Sequence, residues 1–193
     1  MPFVDAFLLS FAVIFVAELG DKSQLMALAF ATRYRATAVL VGISIATLIV
    51  HAGSVLLGSV VALALPTDVI SVLAGVAFFV FAAWTLRGDE LGPEDEERAR
   101  RSAGSVVLAV GVAFFLAELG DKTMLATITL ATAHEPIGTW LGSTAGMVVA
   151  DAIAIGIGAI LGTRLPERAI RIGAALSFVV FGAILVAQGL GLL

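Results

Sequence analysis

Two acid-rich clusters lie one hundred residues apart: Ala17-Glu18-Leu19-Gly20-Asp21-Lys22-Ser23 and Ala117-Glu118-Leu119-Gly120-Asp121-Lys122-Thr123. Each sits in a stretch otherwise apolar enough to cross a bilayer. A charged side chain near the bilayer centre costs roughly 2.5–3.5 kcal/mol on the insertion scale, so six of them need on the order of 15–20 kcal/mol of compensation. Facing one another, water or a bound ion is the least costly way to supply it. Four carboxylates (Glu18, Asp21, Glu118, Asp121), the hydroxyls of Ser23 and Thr123 and the amide oxygen of Gln24 make an oxygen-rich shell suited to a hard divalent cation such as calcium, manganese or magnesium. Four acids against Lys22 and Lys122 leave a charge of −2, which one such ion neutralises. Without the ion, protons must take its place in a low dielectric, and the carboxylates titrate as a coupled set. Competition between metal and protons is the chemistry of a cation/proton exchanger, given two alternating openings.

If each cluster lies on a continuous helix, the acid at position one, the acid three residues on and the lysine four residues on share a face. Gly20 and Gly120 also leave room for close backbone approach or a local break. For the lysines two roles stay open: an ion pair with the acid four residues back (Glu18 with Lys22, Glu118 with Lys122), or an internal cation that occupies the site in place of metal. Two further polar residues occupy equivalent places in the halves, His51 and Asp151, with a proton relay, a pairing with the lysines or a helix-packing hydrogen bond as their possible roles. Ser44 and Thr144 are expected to bond to backbone. Met124, which stands where the first half has Gln24, offers either packing or a soft sulfur that favours manganese.

The elements that carry these residues follow from composition. The chain has 193 residues, 60% hydrophobic and 13% charged, with mean hydropathy +1.09. That is too little polar surface for a water-soluble fold and marks an integral membrane protein. The net charge of −4 says little about partners, because six acids fall between 87 and 102. With no cysteine, disulfides and thiolate metal sites are excluded. The N-terminus lacks the basic region of a signal peptide and is expected to be retained. Apolar runs predict spans at 4–31, 37–64, 68–87, 104–132, 137–162 and 168–191, each long enough for a helical crossing. Nothing alternates as a barrel strand must.

Sliding the chain by one hundred residues without a gap also aligns Gly42 with Gly142, Gly58 with Gly158, Leu65-Pro66 with Leu165-Pro166, and Phe78 with Phe178. The predicted fold is therefore an all-α membrane protein: a three-helix repeat at 1–87, an acidic linker at 88–103 and a second repeat at 104–193. Three crossings per half invert the second copy, which is a transporter's architecture with its site at the midplane. Glycines four apart, Gly142 with Gly146 and Gly158 with Gly162, predict close helix contacts. Nine arginines fall after the first, third and fifth spans and none in the other connections, so the positive-inside rule puts both termini outside a cell membrane.

The paired motifs Glu18-Leu19-Gly20-Asp21-Lys22-Ser23 and Glu118-Leu119-Gly120-Asp121-Lys122-Thr123 resemble the E-x-G-D-[KR]-[ST] signatures of the Gdt family of calcium/manganese–proton exchangers. The resemblance extends over nearly the whole chain. It implies metal coordination by Glu18, Asp21, Glu118 and Asp121, with manganese ahead of calcium as cargo, exported from the cytoplasm. The partners it implies are a divalent cation, protons and lipid, with no resident cofactor and no nucleic acid. The short linker and lack of an N-terminal extension depart from eukaryotic members, so organellar targeting is not expected. Two rivals remain: a divalent cation channel, and an intramembrane aspartyl protease built on Asp21 and Asp121. The protease reading lacks its usual first glycine and a Tyr-Asp partner.

Overall fold

The computed structural model describes residues 2–32, 34–87, 106–161 and 167–192. Among these residues the chain is helical throughout, with no strand: α1 (Phe3–Glu18), α2 (Lys22–Ala31), α3 (Ala36–Ala64), α4 (Thr67–Arg87), α5 (Val106–Glu118), α6 (Lys122–Ala133), α7 (Pro136–Leu161) and α8 (Glu167–Gly189). The acidic linker, Gly162, Arg164 and Leu165-Pro166 lie outside the described residues. By length and composition, α3 and residues Pro136–Ile157 of α7 each suffice to cross a bilayer; α1 and α2 make a third crossing if taken as one bent span.

The first and fourth apolar runs are not single helices. α1 and α2 meet at 74°, and α5 and α6 are separated at the same point of the second motif. The break has a local cause. Gly20 has φ 75° and Gly120 φ 79°, a left-handed conformation that costs other residues roughly 1–2 kcal/mol and ends a right-handed helix. Leu119 N–H still bonds to Phe115 carbonyl oxygen, but the N–H groups of Asp21 and Asp121 turn back to the carbonyls of Glu18 (3.1 Å) and Glu118 (3.2 Å). The expectation that Glu18, Asp21 and Lys22 share one face of a helix is thus corrected, as it is for Glu118, Asp121 and Lys122. The glutamate ends one helix, while the aspartate and lysine begin the next.

The helices pack so that contacts between the halves come in reciprocal pairs. A Cβ on Gly42 of α3 would sit 2.8 Å from Val107 oxygen in α5, and one on Gly142 of α7 would strike Phe7 oxygen in α1, the same contact shifted by one hundred. Between α4 and α8, Phe78 meets Phe178 (ring centroids 5.8 Å), while Phe78 meets Phe181 at 6.2 Å and Phe81 meets Phe178 at 6.1 Å. Thr47 Oγ1 donates to Met147 Sδ at 3.4 Å. The two cores repeat the theme: one joins Val13, Ile14 and Ala17 of α1 to Ala126 and Leu130 of α6, the other joins Ala113, Phe114 and Ala117 of α5 to Met26 and Phe30 of α2. Each core therefore draws on helices from both halves. Large apolar side chains such as Leu56, Val60, Leu63 and Leu108 lie exposed on the outside, a pattern that fits a surface embedded in lipid.

The close contacts expected from Gly142 and Gly146 are present, against Phe7 and Phe11 backbone in α1. Phe3, Phe7, Phe11 and Phe15 stack along that seam. Its counterpart between α3 and α5 carries an outward-facing apolar groove of about 310 Å³ lined by Ile49, Val107, Gly111 and Phe115.

Candidate metal centre

Because each motif breaks its helix, its side chains converge from two helix ends. Glu18 closes α1, Asp21 is the N-cap of α2, and Glu118 closes α5; ligand atoms of these three carboxylates all lie within 4.8 Å of one another. All three are buried. The ring of carboxylates is thus drawn from both halves. Asp121, the N-cap of α6, is also buried and close enough to Glu118 to interact electrostatically, but is not one of the three.

The hydroxyls hold the carboxylates in place. Ser23 Oγ bonds to Glu18 Oε1 and to Asp21 Oδ2, the latter at 2.8 Å, and Ser23 N–H donates to the same Asp21 oxygen at 3.5 Å. Thr123 Oγ1 donates to Glu118 Oε2 at 2.7 Å. The remaining oxygens, Glu18 Oε2 and Glu118 Oε1, are buried with no hydrogen-bond partner among the described residues. Orphaned buried acceptors of this kind are costly, and a cation between them would satisfy both.

Several expectations change. Lys122 reaches an acid that its spacing did not suggest: its Nζ forms an ion pair with Asp21 Oδ1 in the other half, both groups buried. With Glu118 at the end of α5 and Lys122 at the start of α6, the four-residue spacing no longer puts them on one helix face. The Lys22 side chain lies outside the described residues. Gln24 does not turn its amide oxygen on the carboxylates. It accepts from Gly20 N–H at 2.9 Å, and Nε2 donates to Ala150 oxygen in α7 at 3.2 Å. Met124 Sδ takes the equivalent bond from Gly120 N–H at 3.2 Å, so both residues brace the helix breaks. Ser44 bonds to Leu40 carbonyl as expected, but Thr144 Oγ1 lies 3.4 Å from His51 Nδ1 instead of bonding to backbone.

His51 and Asp151 are fully buried. Asp151 lies in electrostatic reach of Glu18, Asp21 and Glu118, and both its oxygens lack hydrogen-bond partners among the described residues. Among the described residues His51 makes the Thr144 contact, and its Nε2 has no hydrogen-bond partner. The equivalent pair has thus diverged: an acid stands beside the carboxylates, its counterpart is a base held by a hydroxyl. Sequence reasoning missed Ser10, Thr139 and Ser143, buried hydroxyls without hydrogen-bond partners among the described residues. For Thr139 and Ser143, polar residues spaced among glycines on α7 were the available signal.

Comparison with known proteins agrees with this geometry. The sequence model of the divalent cation/proton antiporter GDT1 matches residues 6–92 and 106–192, two stretches of equal length offset by one hundred. The chain belongs to the GDT1 family of divalent cation/proton antiporters. This is a transporter family, not an enzyme family, and the protease reading falls. A Vibrio cholerae protein named "Putative manganese exporter" is 36% identical over 84% of this chain and 81% of its own length. A GDT1-like protein of Synechocystis is 30% identical, over 94% of this chain and 96% of its own. PAM71-homolog, a chloroplastic protein of Arabidopsis thaliana, is 34% identical over 93% of this chain, which spans 58% of that protein. No solved structure matches the chain.

Proposed function

We propose that this GDT1-family antiporter exports a divalent cation from the cytoplasm in exchange for protons, with manganese preferred and calcium second. The cation binds where the two halves meet. One observation carries the reading: Glu18 and Asp21 of one half and Glu118 of the other converge, buried, within 4.8 Å. Ser23 and Thr123 orient the carboxylates, and Asp121 and Asp151 add negative charge nearby. Metal and protons are alternative ways to neutralise these acids in a low dielectric, so binding one releases the other. The name of the Vibrio relative supports manganese.

The mechanism rests on six crossings arranged as two inverted three-helix repeats in a cell membrane, both termini outside. The reciprocal contacts of α1 with α7, α5 with α3 and α4 with α8 support that arrangement. If the halves exchange conformations, such an interface forms equivalent contacts in a state open to the opposite side. Rocking around a fixed site then gives alternating access.

The test is flux in proteoliposomes. A pH gradient is expected to drive manganese movement in the wild type, and Asp21→Asn and Glu118→Gln are each expected to abolish it. Unchanged flux in both variants refutes the proposal. Flux that ignores the proton gradient and reverses with voltage alone establishes the channel instead.

A further inference from the structure

The ion pair across the halves carries a second consequence, which rests on the exchanger reading above. Asp21 is a member of the carboxylate set, and both its oxygens are engaged. Oδ2 takes the hydroxyl and N–H of Ser23, bonds built into the start of α2. Oδ1 takes the ammonium of Lys122, which arrives from α6 in the other half and is buried. An ammonium and a dication cannot share one carboxylate oxygen in a low dielectric without strong repulsion. The Ser23 bonds are neutral and local, whereas Lys122 hangs on a flexible four-carbon stem. Of the two, Lys122 is the group that a metal ion displaces.

We infer that Lys122 is a tethered competitor of the transported ion: its ammonium holds Asp21 whenever metal does not, and divalent cation binding requires it to let go. The tether links the halves as well as the charges. Metal entry exchanges a bond from α6 to Asp21 for bonds from the ion to Asp21, Glu18 and Glu118. The lysine thus lowers the site's affinity for metal, favouring release of cargo, and keeps a carboxylate compensated after the ion leaves.

The experiment is equilibrium binding of Mn²⁺, and separately Ca²⁺, to purified wild type, Lys122→Gln and Lys122→Arg at one fixed pH. Lys122→Gln is expected to bind at least about tenfold more tightly than wild type. A residue with only a structural role does not produce that direction, since loosening the site weakens binding. Lys122→Arg, whose guanidinium keeps its charge and grips carboxylate in a fork, is expected to bind metal as weakly as wild type or more weakly. Equal or weaker binding by Lys122→Gln overturns the inference. Should that variant fail to fold, tighter binding by Lys122→Arg overturns it alone. A wild type that binds neither ion sinks the exchanger reading itself, an outcome distinct from an unchanged Lys122→Gln.

Discussion

The two helix breaks share a backbone and differ in what their side chains do. Gly20 and Gly120 adopt nearly the same left-handed φ, each motif's aspartate begins the next helix, and a side chain four residues on caps each glycine N–H. Beyond that the copies part. Asp21 caps its helix through Ser23 and receives Lys122, whereas no side-chain cap bond forms at Asp121. Gln24 ties its break to α7 through Ala150, a bond the Met124 sulfur has no N–H to make. Asp151 adds charge beside the carboxylates where the other half has His51. Duplication preserved the geometry that places acids in the membrane. Among the described residues, the first motif contributes two carboxylates to the set and the second contributes one together with the competing ammonium.

The largest expected effect breaks that division of labour. Asp21→Asn should weaken Mn²⁺ binding by about 100-fold or more, since it removes a buried charged ligand. Asp121→Asn should cost less than about tenfold. Calorimetric titration of both variants checks this, and equal losses would mean that the copies contribute alike.

The two seams give a second contrast, of intermediate size. Gly142→Ala puts a methyl into Phe7 backbone and should destabilise the protein by about 1–3 kcal/mol. Gly111→Ala, whose new Cβ would lie 3.5 Å from Gly42 oxygen in the groove, should be neutral or stabilise by up to about 1 kcal/mol through helix propensity. Thermal unfolding in detergent reads both. The smallest effect tests the braces: Gln24→Met makes the first break resemble the second and should cost only about 0.5–1.5 kcal/mol, for the bond to Ala150. A larger loss in the same unfolding measurement would show that the Gln24 brace also shapes the site.

Much of this was legible in the sequence. The apolar runs end within two residues of the observed helices, because the bilayer demands length and proline and charge punctuate it. The repeat and its glycines pointed to a shared site and to a possible break. What stayed hidden follows from one assumption: spacings of three and four residues place groups on one face only while a helix continues. Once Gly20 and Gly120 end it, Lys122 can reach across to Asp21, and Gln24 accepts from the N–H of Gly20 that the break leaves without a helical partner. Equally, no spacing reports that Asp151 stands near Glu18, since that proximity arises from packing α7 against α1 and α2. The match of Phe78 with Phe178 was visible as an alignment, but not as two rings in contact.

The position of the transported ion is the deciding observation. Crystals grown with Mn²⁺ and measured for anomalous scattering should show a peak within coordination distance of Glu18, Asp21 and Glu118, with Lys122 withdrawn from Asp21. A peak elsewhere in the protein, or a fully occupied peak that leaves these three carboxylates unbound, would contradict the proposed site.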